Sequence, residues 1–323
     1  MILPKHTAVM AKVLLPLLAI LSLLPVVPAW AALVAGILLA LAFGNPYVAY
    51  TKPWTPRLLA WSVVGLGAGM NLVEVGKVGL QGFAYTAVGI VFALSIGLFL
   101  GKRLGVAGDT SMLISVGTAI CGGSAIAAVA PVIHADDEDT SVALATVFLL
   151  NALALILFPM IGHYFHLAER PFGLWAALAI HDTSSVVAAG ATYGPVAELV
   201  ATTTKLARAL WIVPVAFGMS LLHARLQGQT DNGPRPKATR PWFILGFLLA
   251  AALVTFVPQL NTAGRVVNEA AHRLLVLTLF LLGCGITREA LRKVGVRPLV
   301  QGVALWVIVG AATLGAVLGG WII

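Results

Sequence analysis

The sequence predicts an all-α integral membrane protein with about eleven transmembrane helices, an inverted repeat, and helices that break in mid-membrane. Three observations predict it. First, the 323 residues are 60% hydrophobic and 10% charged, whereas a soluble domain carries about 25% charged residues. The uncharged runs also outlast the roughly 10 residues of a membrane barrel strand. Second, the basic residues fall on one side when the runs are laid in alternating directions. Third, glycine pairs and charged residues interrupt runs that are otherwise long enough to span.

The candidate spans are 13–28, 29–43, 58–72, 79–101, 110–133, 140–162, 171–193, 196–224, 241–257, 264–286 and 298–322. Together they make residues 1–323 a single integral membrane domain with one longer polar loop, 225–240, on the cytoplasmic side. The opening Lys5, Lys12, apolar run and Ala29-Trp30-Ala31 have the layout of a signal peptide. We read it as a retained span. The apolar character continues to Phe43, and the next basic loop needs an even number of crossings.

With the N-terminus inside, the inner segments hold Lys5, Lys12, Lys52, Arg57, Lys102, Arg103, Arg170, Arg225, Arg235, Lys237, Arg240, Arg288, Arg292, Lys293 and Arg297. Outer segments hold Lys77, Arg265 and Arg273, and Lys205 and Arg208 fall within a span. The acidic run Asp136-Asp137-Glu138-Asp139 lies outside. This asymmetry predicts a multi-pass membrane protein with its N-terminus inside and its C-terminus outside. It also explains the net charge of +8 without a nucleic-acid partner; the partner it implies is the lipid bilayer. Cys121 and Cys284 both sit in apolar runs and argue for neither a disulfide nor a metal site.

The repeat pairs Leu66-Gly67-Ala68-Gly69 and Lys77-Val78-Gly79 with Leu282-Gly283-Cys284-Gly285 and Lys293-Val294-Gly295, at one offset (283 − 67 = 293 − 77 = 216). The copies run in opposite directions through the membrane, which is the signature of a secondary transporter. Gly97…Gly101 and Gly315…Gly319 also correspond, and ordinary close helix packing accounts for them.

Two spans carry breaks. In the first, Cys121-Gly122-Gly123-Ser124 interrupts the run 110–133. Each glycine costs about 1 kcal/mol relative to alanine in a helix interior. A helix that breaks here frees backbone N–H groups that hydrocarbon cannot satisfy. Ser124 is the expected N-cap of the restarting half. The alternative is a glycine patch for helix packing. In the second, His181-Asp182-Thr183-Ser184-Ser185 interrupts 171–193, with Asp182 and the hydroxyls as caps; a capped helix end at the membrane surface is the alternative. Thr202, Thr203, Lys205 and Arg208 follow within 196–224. Lys205 and Arg208 share a helix face with Thr202, and two cations with hydroxyls suit a small oxyanion. Snorkelling and pairing with Asp182 are the competing accounts. Asn151, mid-span, is a weaker candidate that an interhelical hydrogen bond would explain.

Three stretches also carry a family resemblance. They are Ala119-Ile120-Cys121-Gly122-Gly123-Ser124-Ala125-Ile126-Ala127-Ala128, Ile180-His181-Asp182-Thr183-Ser184-Ser185-Val186 and Thr203-Thr204-Lys205-Leu206-Ala207-Arg208. They resemble the bacterial YeiH-type sulfate exporter family over nearly the whole chain. The resemblance implies an architecture similar to the cation/proton antiporters and bile-acid symporters, with crossed broken helices in a core that moves against a scaffold. It implies sulfate or sulfite as substrate and a homodimer through the scaffold helices. One feature departs from that scheme, because both breaks run outward in this topology and inverted partners cannot. Either they are not partners, or one segment is re-entrant, or a span is miscounted.

Function classes follow. There is no Gly-x-x-x-x-Gly-Lys-Ser/Thr loop for a self-contained pump. Neither His-Glu-x-x-His nor Gly-x-Ser-x-Gly supports an enzyme at Cys121, His181 and Ser185. No cofactor is expected beyond a coupling ion, H+ at Asp182 or His181, or Na+ at backbone carbonyls. An anion channel, or a transporter of a small organic anion, is the alternative.

Overall fold

The computed structural model describes residues 5–227, 242–288, 292 and 294–322. All regular structure among them is helical, with no strand. The helices are α1 (Lys5–Leu21), α2 (Ala29–Phe43), α3 (Val48–Gly67), α4 (Leu72–Leu104), α5 (Gly108–Ala119), α6 (Gly123–Val129), α7 (Asp137–Tyr164), α8 (Glu169–Ala179), α9 (Thr183–Tyr193), α10 (Pro195–Ala209), α11 (Ile212–Gln227), α12 (Trp242–Phe256), α13 (Asn261–Gly285) and α14 (Val296–Leu318). Five stretches are long and apolar enough to cross a membrane. They are α4, α7, Pro195–Met219 across α10 and α11, Pro258–Gly285 including α13, and α14. Met10–Leu21, α2 and α12 are shorter apolar helices. The predicted loop 225–240 lies from residue 228 onward outside the described residues.

Local chemistry sets the ends. Asn71 caps α4 by accepting from the amides of Val73 (2.8 Å) and Glu74 (3.4 Å). Gly105 closes the same helix in the left-handed conformation after Lys102 and Arg103. Asp136 caps α7 through the Asp139 amide at 2.7 Å, and three acidic residues fill the first turn. α3 begins ten residues before the predicted start at 58 and runs through Pro53 and Pro56. Membrane helices tolerate prolines because neighbours re-satisfy the freed carbonyls.

The helices form two groups. In one, α13 packs along α2 and α3, and α12 packs on α3. In the other, α10 packs on α4, α8 and α9, while α5, α7 and α14 complete the bundle. Glycines bring the first group into backbone contact. A Cβ at Gly67 would stand 2.4 Å from the Phe247 carbonyl oxygen, and one at Gly283 would stand 2.4 Å from that of Leu33. Neither neighbour is a flexible side-chain tip. Gly67→Ala and Gly283→Ala are therefore each expected to lower stability by about 1–3 kcal/mol, the usual cost of overpacking, in a denaturation series in detergent. Gly285→Ala, with open space at its Cβ position, is the matched control.

Two predicted spans, 110–133 and 171–193, are not single helices, and each folds back on itself. At the head of α5, the Thr110 hydroxyl donates to Asp139 at the head of α7, so the chain between them returns to the end it left. α6 folds back on α5: a Cβ at Gly117 would lie 2.9 Å from Ile126 Cδ1 and 3.2 Å from Val147 Cγ2. Residues 169–193 do the same. Phe172 stacks on Tyr193 with ring centroids 3.7 Å apart. The Tyr193 hydroxyl donates to the Leu167 carbonyl at 2.6 Å. Glu169 accepts from the amides of Val196 (2.7 Å) and Ala197 (3.1 Å), just past the end of α9. Both segments are re-entrant hairpins. One is rooted at the start of α7 and the other at its end, so they enter the bundle from opposite ends. Hydrophobic length alone does not separate such a hairpin from a span, because two half-helices carry as many apolar residues as one crossing.

Candidate functional site

The hairpin tips meet. α5 ends at Ala119 and α6 is entered through Gly122; α8 ends at Ala179 and α9 is entered through Asp182. Each tip is therefore three residues, Ile120-Cys121-Gly122 and Ile180-His181-Asp182. A Cβ at Gly122 would lie 3.3 Å from Asp182 Cβ. Asn151, at the middle of α7, ties the second tip down: its Oδ1 accepts from the amides of His181 (3.1 Å) and Asp182 (3.3 Å). Non-helical backbone at membrane depth is tolerated only where protein or a wet cavity surrounds it. Here, protein surrounds it.

The ends of the two descending half-helices point their free carbonyls at α10. Arg208 donates from Nε to the Ala119 carbonyl (2.7 Å) and from its terminal nitrogens to those of Thr118 (3.4 Å), Ala177 (3.2 Å) and Leu178. Lys205 Nζ donates to the carbonyls of Ile180 (2.7 Å) and Ala177 (3.4 Å). Both cations are 0% exposed. They sit where the helix macrodipole places partial negative charge, and one guanidinium binds both hairpins. Neither snorkelling to the surface nor an ion pair with Asp182 describes this geometry.

The ascending half-helices are capped differently. Asp182 Oδ2 accepts from the Ser185 amide at 3.3 Å and from the Ser184 hydroxyl, as the sequence predicts. The expectation of Ser124 as the other cap is corrected. Gly122 holds the cap position at φ +65°, no side chain caps α6, and Ser124 lies exposed in the first turn. A positive φ suits glycine, which moves the restart earlier than a search for a serine cap places it.

Several buried polar atoms have no partner among the described residues. They include both ring nitrogens of His181, Asn151 Nδ2, Asp182 Oδ1, and the hydroxyls of Thr118, Thr202, Thr203 and Thr204. Buried polar groups almost always have partners, so such a cluster marks a place for water or a ligand. Asn151, Asp182 and Ser185 line a cleft together with Leu33, Leu279 and Ile286. It offers about 20 Å³, room for roughly one water. Thr203 and Thr204 lie against α4, where Gly79 and Gly82 leave them space. Cys121, Gly122 and Thr183 are buried and Gly123 is half-buried. Thr118 and Thr204 were absent from the expected set. Both stand in the motifs already quoted or beside them, and only their burial distinguishes them.

A model of the family described as conserved hypothetical protein 698 matches residues 7–302. A UPF0324 membrane protein of Bdellovibrio bacteriovorus is 58% identical over 312 residues, covering 97% of this chain and 95% of the relative. One of Geobacter sulfurreducens is 48% identical over 90% of this chain and 91% of its own length. One of Photobacterium profundum is 48% identical over 94% and 90%. No solved structure matches.

Proposed function

The chain belongs to the conserved hypothetical protein 698 family of membrane proteins, and from that premise we propose that it is a secondary transporter of a small sulfur oxyanion. Sulfate or sulfite crosses the bacterial inner membrane by alternating access at the two hairpin tips. The observation that carries the reading is buried charge. Lys205, Arg208 and Asp182 meet at the tips, two cations against one carboxylate. The four half-helix ends cancel in pairs, two negative and two positive. One positive unit is left over, and an uncompensated charge in the bilayer interior costs at least about 2.5–3.5 kcal/mol. An anion removes that cost. A divalent oxyanion overshoots by one unit, and one coupling proton at His181 or Asp182 restores neutrality.

The hairpins enter from opposite ends, which removes the conflict of two outward-running breaks, but their tips stand 60 positions apart (182 − 122 = 60) and are not copies at the 216 offset. The outer helices support the inverted-repeat reading. A Cβ at Gly246 would meet Val64, and one at Gly36 would meet Phe280; Val64 and Phe280 stand at the motif offset (280 − 64 = 216), and the two glycines stand six short of it (246 − 36 = 210). Asn268 donates to the Leu66 carbonyl at 3.1 Å, and Asn45 donates to that of Cys284 at 3.2 Å. Withdrawing two crossings keeps the parity, so the N-terminus stays inside and the C-terminus outside. The acidic run at 136–139 moves inside and Arg170 moves outside.

The test is flux into liposomes holding the purified protein, with sulfite, sulfate and a monovalent control, each with and without a pH or sodium gradient. Saturable uptake of one oxyanion that follows one gradient is the expected result and names the coupling ion. Flux indifferent to every gradient would turn the reading into a channel. No oxyanion flux would remove the substrate.

A further inference from the structure

A half-buried titratable group lies away from the hairpin tips, where the two helix groups come together. His272, on α13, faces acceptors from both ring nitrogens. Nδ1 lies 2.9 Å from the Asn268 carbonyl oxygen one turn earlier. Nε2 lies 2.7 Å from Glu198 Oε1 in the first turn of α10. The side chains are 28% and 12% exposed. A carbonyl only accepts, and an ionised carboxylate only accepts. A neutral imidazole carries one N–H, so with an ionised Glu198 it fills one contact and sets a lone pair against an oxygen in the other. The 2.7 Å approach is an ion-pair distance without hydrogen-bond geometry, since Glu198 Oε1 accepts no hydrogen bond among the described residues; one more proton, on the imidazole or on the carboxyl, turns the close approach of two acceptors into an attraction.

We propose that His272 and Glu198 form a proton-binding site, and that its proton latches α13 to α10. The position gives the latch its leverage. Ala197 and Ala201 of α10 and Ala271 and Leu275 of α13 belong to one apolar cluster, so the pair sits beside shared apolar packing. Along α10 from Glu198 come Lys205 and Arg208, which hold both hairpins. Asn268, whose carbonyl fixes Nδ1, also binds α3 through the Leu66 carbonyl. A proton lost here leaves one net negative charge and facing lone pairs between α13 and α10.

The other titratable groups around the pair are few. On α13, Glu269 and Arg265 are exposed, and Arg273 donates to the carbonyls of Leu24 (3.3 Å) and Pro25 (3.2 Å). Glu169 caps the start of α10, and Tyr193 donates to Leu167 at the end of α9. α2 and α12 carry no titratable side chain. The cations of α3, Lys52 and Arg57, lie in its opposite half.

Use of this proton as the coupling ion rests on the transporter reading; the proton itself does not. The test is nitrogen-15 magnetic resonance of histidine-labelled full-length protein in lipid nanodiscs, with His272→Gln to assign the signal. At pH 7.5 the His272 ring is expected to carry protons on both nitrogens. If only Nδ1 is protonated, an infrared band of a protonated carboxyl is expected that vanishes in Glu198→Gln. Melting between pH 6 and pH 9 reads the latch: the wild type loses several degrees toward alkaline pH, and Glu198→Gln loses the difference. The sign follows because a bound proton that closes this contact stabilises below its release and not above it. A neutral ring facing an ionised Glu198 at pH 7.5, or identical pH profiles in the wild type and Glu198→Gln, would overturn the proposal. Neither readout depends on which anion is carried, so a failed flux assay and a failed latch are separate results.

Discussion

Arg208→Ala is expected to be the most damaging single substitution in the chain, and Arg208→Lys to be no rescue. The alanine variant strips partners from the carbonyls of Thr118, Ala119 and Leu178 at once and leaves Ala177 with Lys205 alone. The loss is set at about 3–5 kcal/mol, the scale for removing one side of a buried charged interaction. Lysine keeps the charge, but its single head cannot reproduce a planar fork that reaches two hairpins. We expect it to recover less than half of the lost stability and to leave oxyanion flux at least about tenfold down, a 1.4 kcal/mol effect. Thermal melting in detergent and flux in liposomes check the two parts. Wild-type melting in Arg208→Ala would show that the carbonyls find other partners. Wild-type flux in both Arg208→Ala and Lys205→Ala would remove the buried cations from the transport mechanism.

How much of this was legible in the sequence differs by level. Composition and the glycine–histidine–aspartate interruptions located the helices and both tips, because breaking a helix in an apolar run needs residues that hydrophobic burial disfavours. Asp182 as a cap and Asn151 as a mid-span anchor were legible for the same reason: a polar residue in such a run must find a partner. Direction was not legible. The segment 171–193 reads as one span of ordinary length, and only the stacking of Phe172 on Tyr193 and the reach of Glu169 to α10 reveal the fold-back. The role of Lys205 and Arg208 was half legible. Their shared face was visible, but their target, the backbone carbonyls, has no side-chain signature. The His272–Glu198 pair had none at all, since 74 positions separate the two residues (272 − 198 = 74).

Gly122 is where the meeting of the hairpins meets its tightest steric limit, and Gly122→Ala is expected to abolish most transport while the protein still inserts. Two costs coincide. The backbone at φ +65° and ψ −127° lies where side chains are rarely tolerated, at about 1–3 kcal/mol. The new methyl would also lie 3.3 Å from Asp182 Cβ and 3.4 Å from Val147 Cγ1, which forces the first tip away from the second. The neighbouring Gly123→Ala separates these effects from loss of a glycine as such. Its Cβ would press on the far end of the Phe148 ring at 2.9 Å, which can rotate aside, and its backbone is helical. We expect Gly122→Ala to cut flux by at least about tenfold, with a further drop in melting temperature, and Gly123→Ala to lie nearer the wild type. The proposed alternating access makes this ordering necessary. Alternating access requires both tips to open and reclose on one site, and a methyl group between them holds apart the surfaces that must reclose. Equal flux from the two variants would mean that the contact between the tips is packing rather than part of the transport cycle.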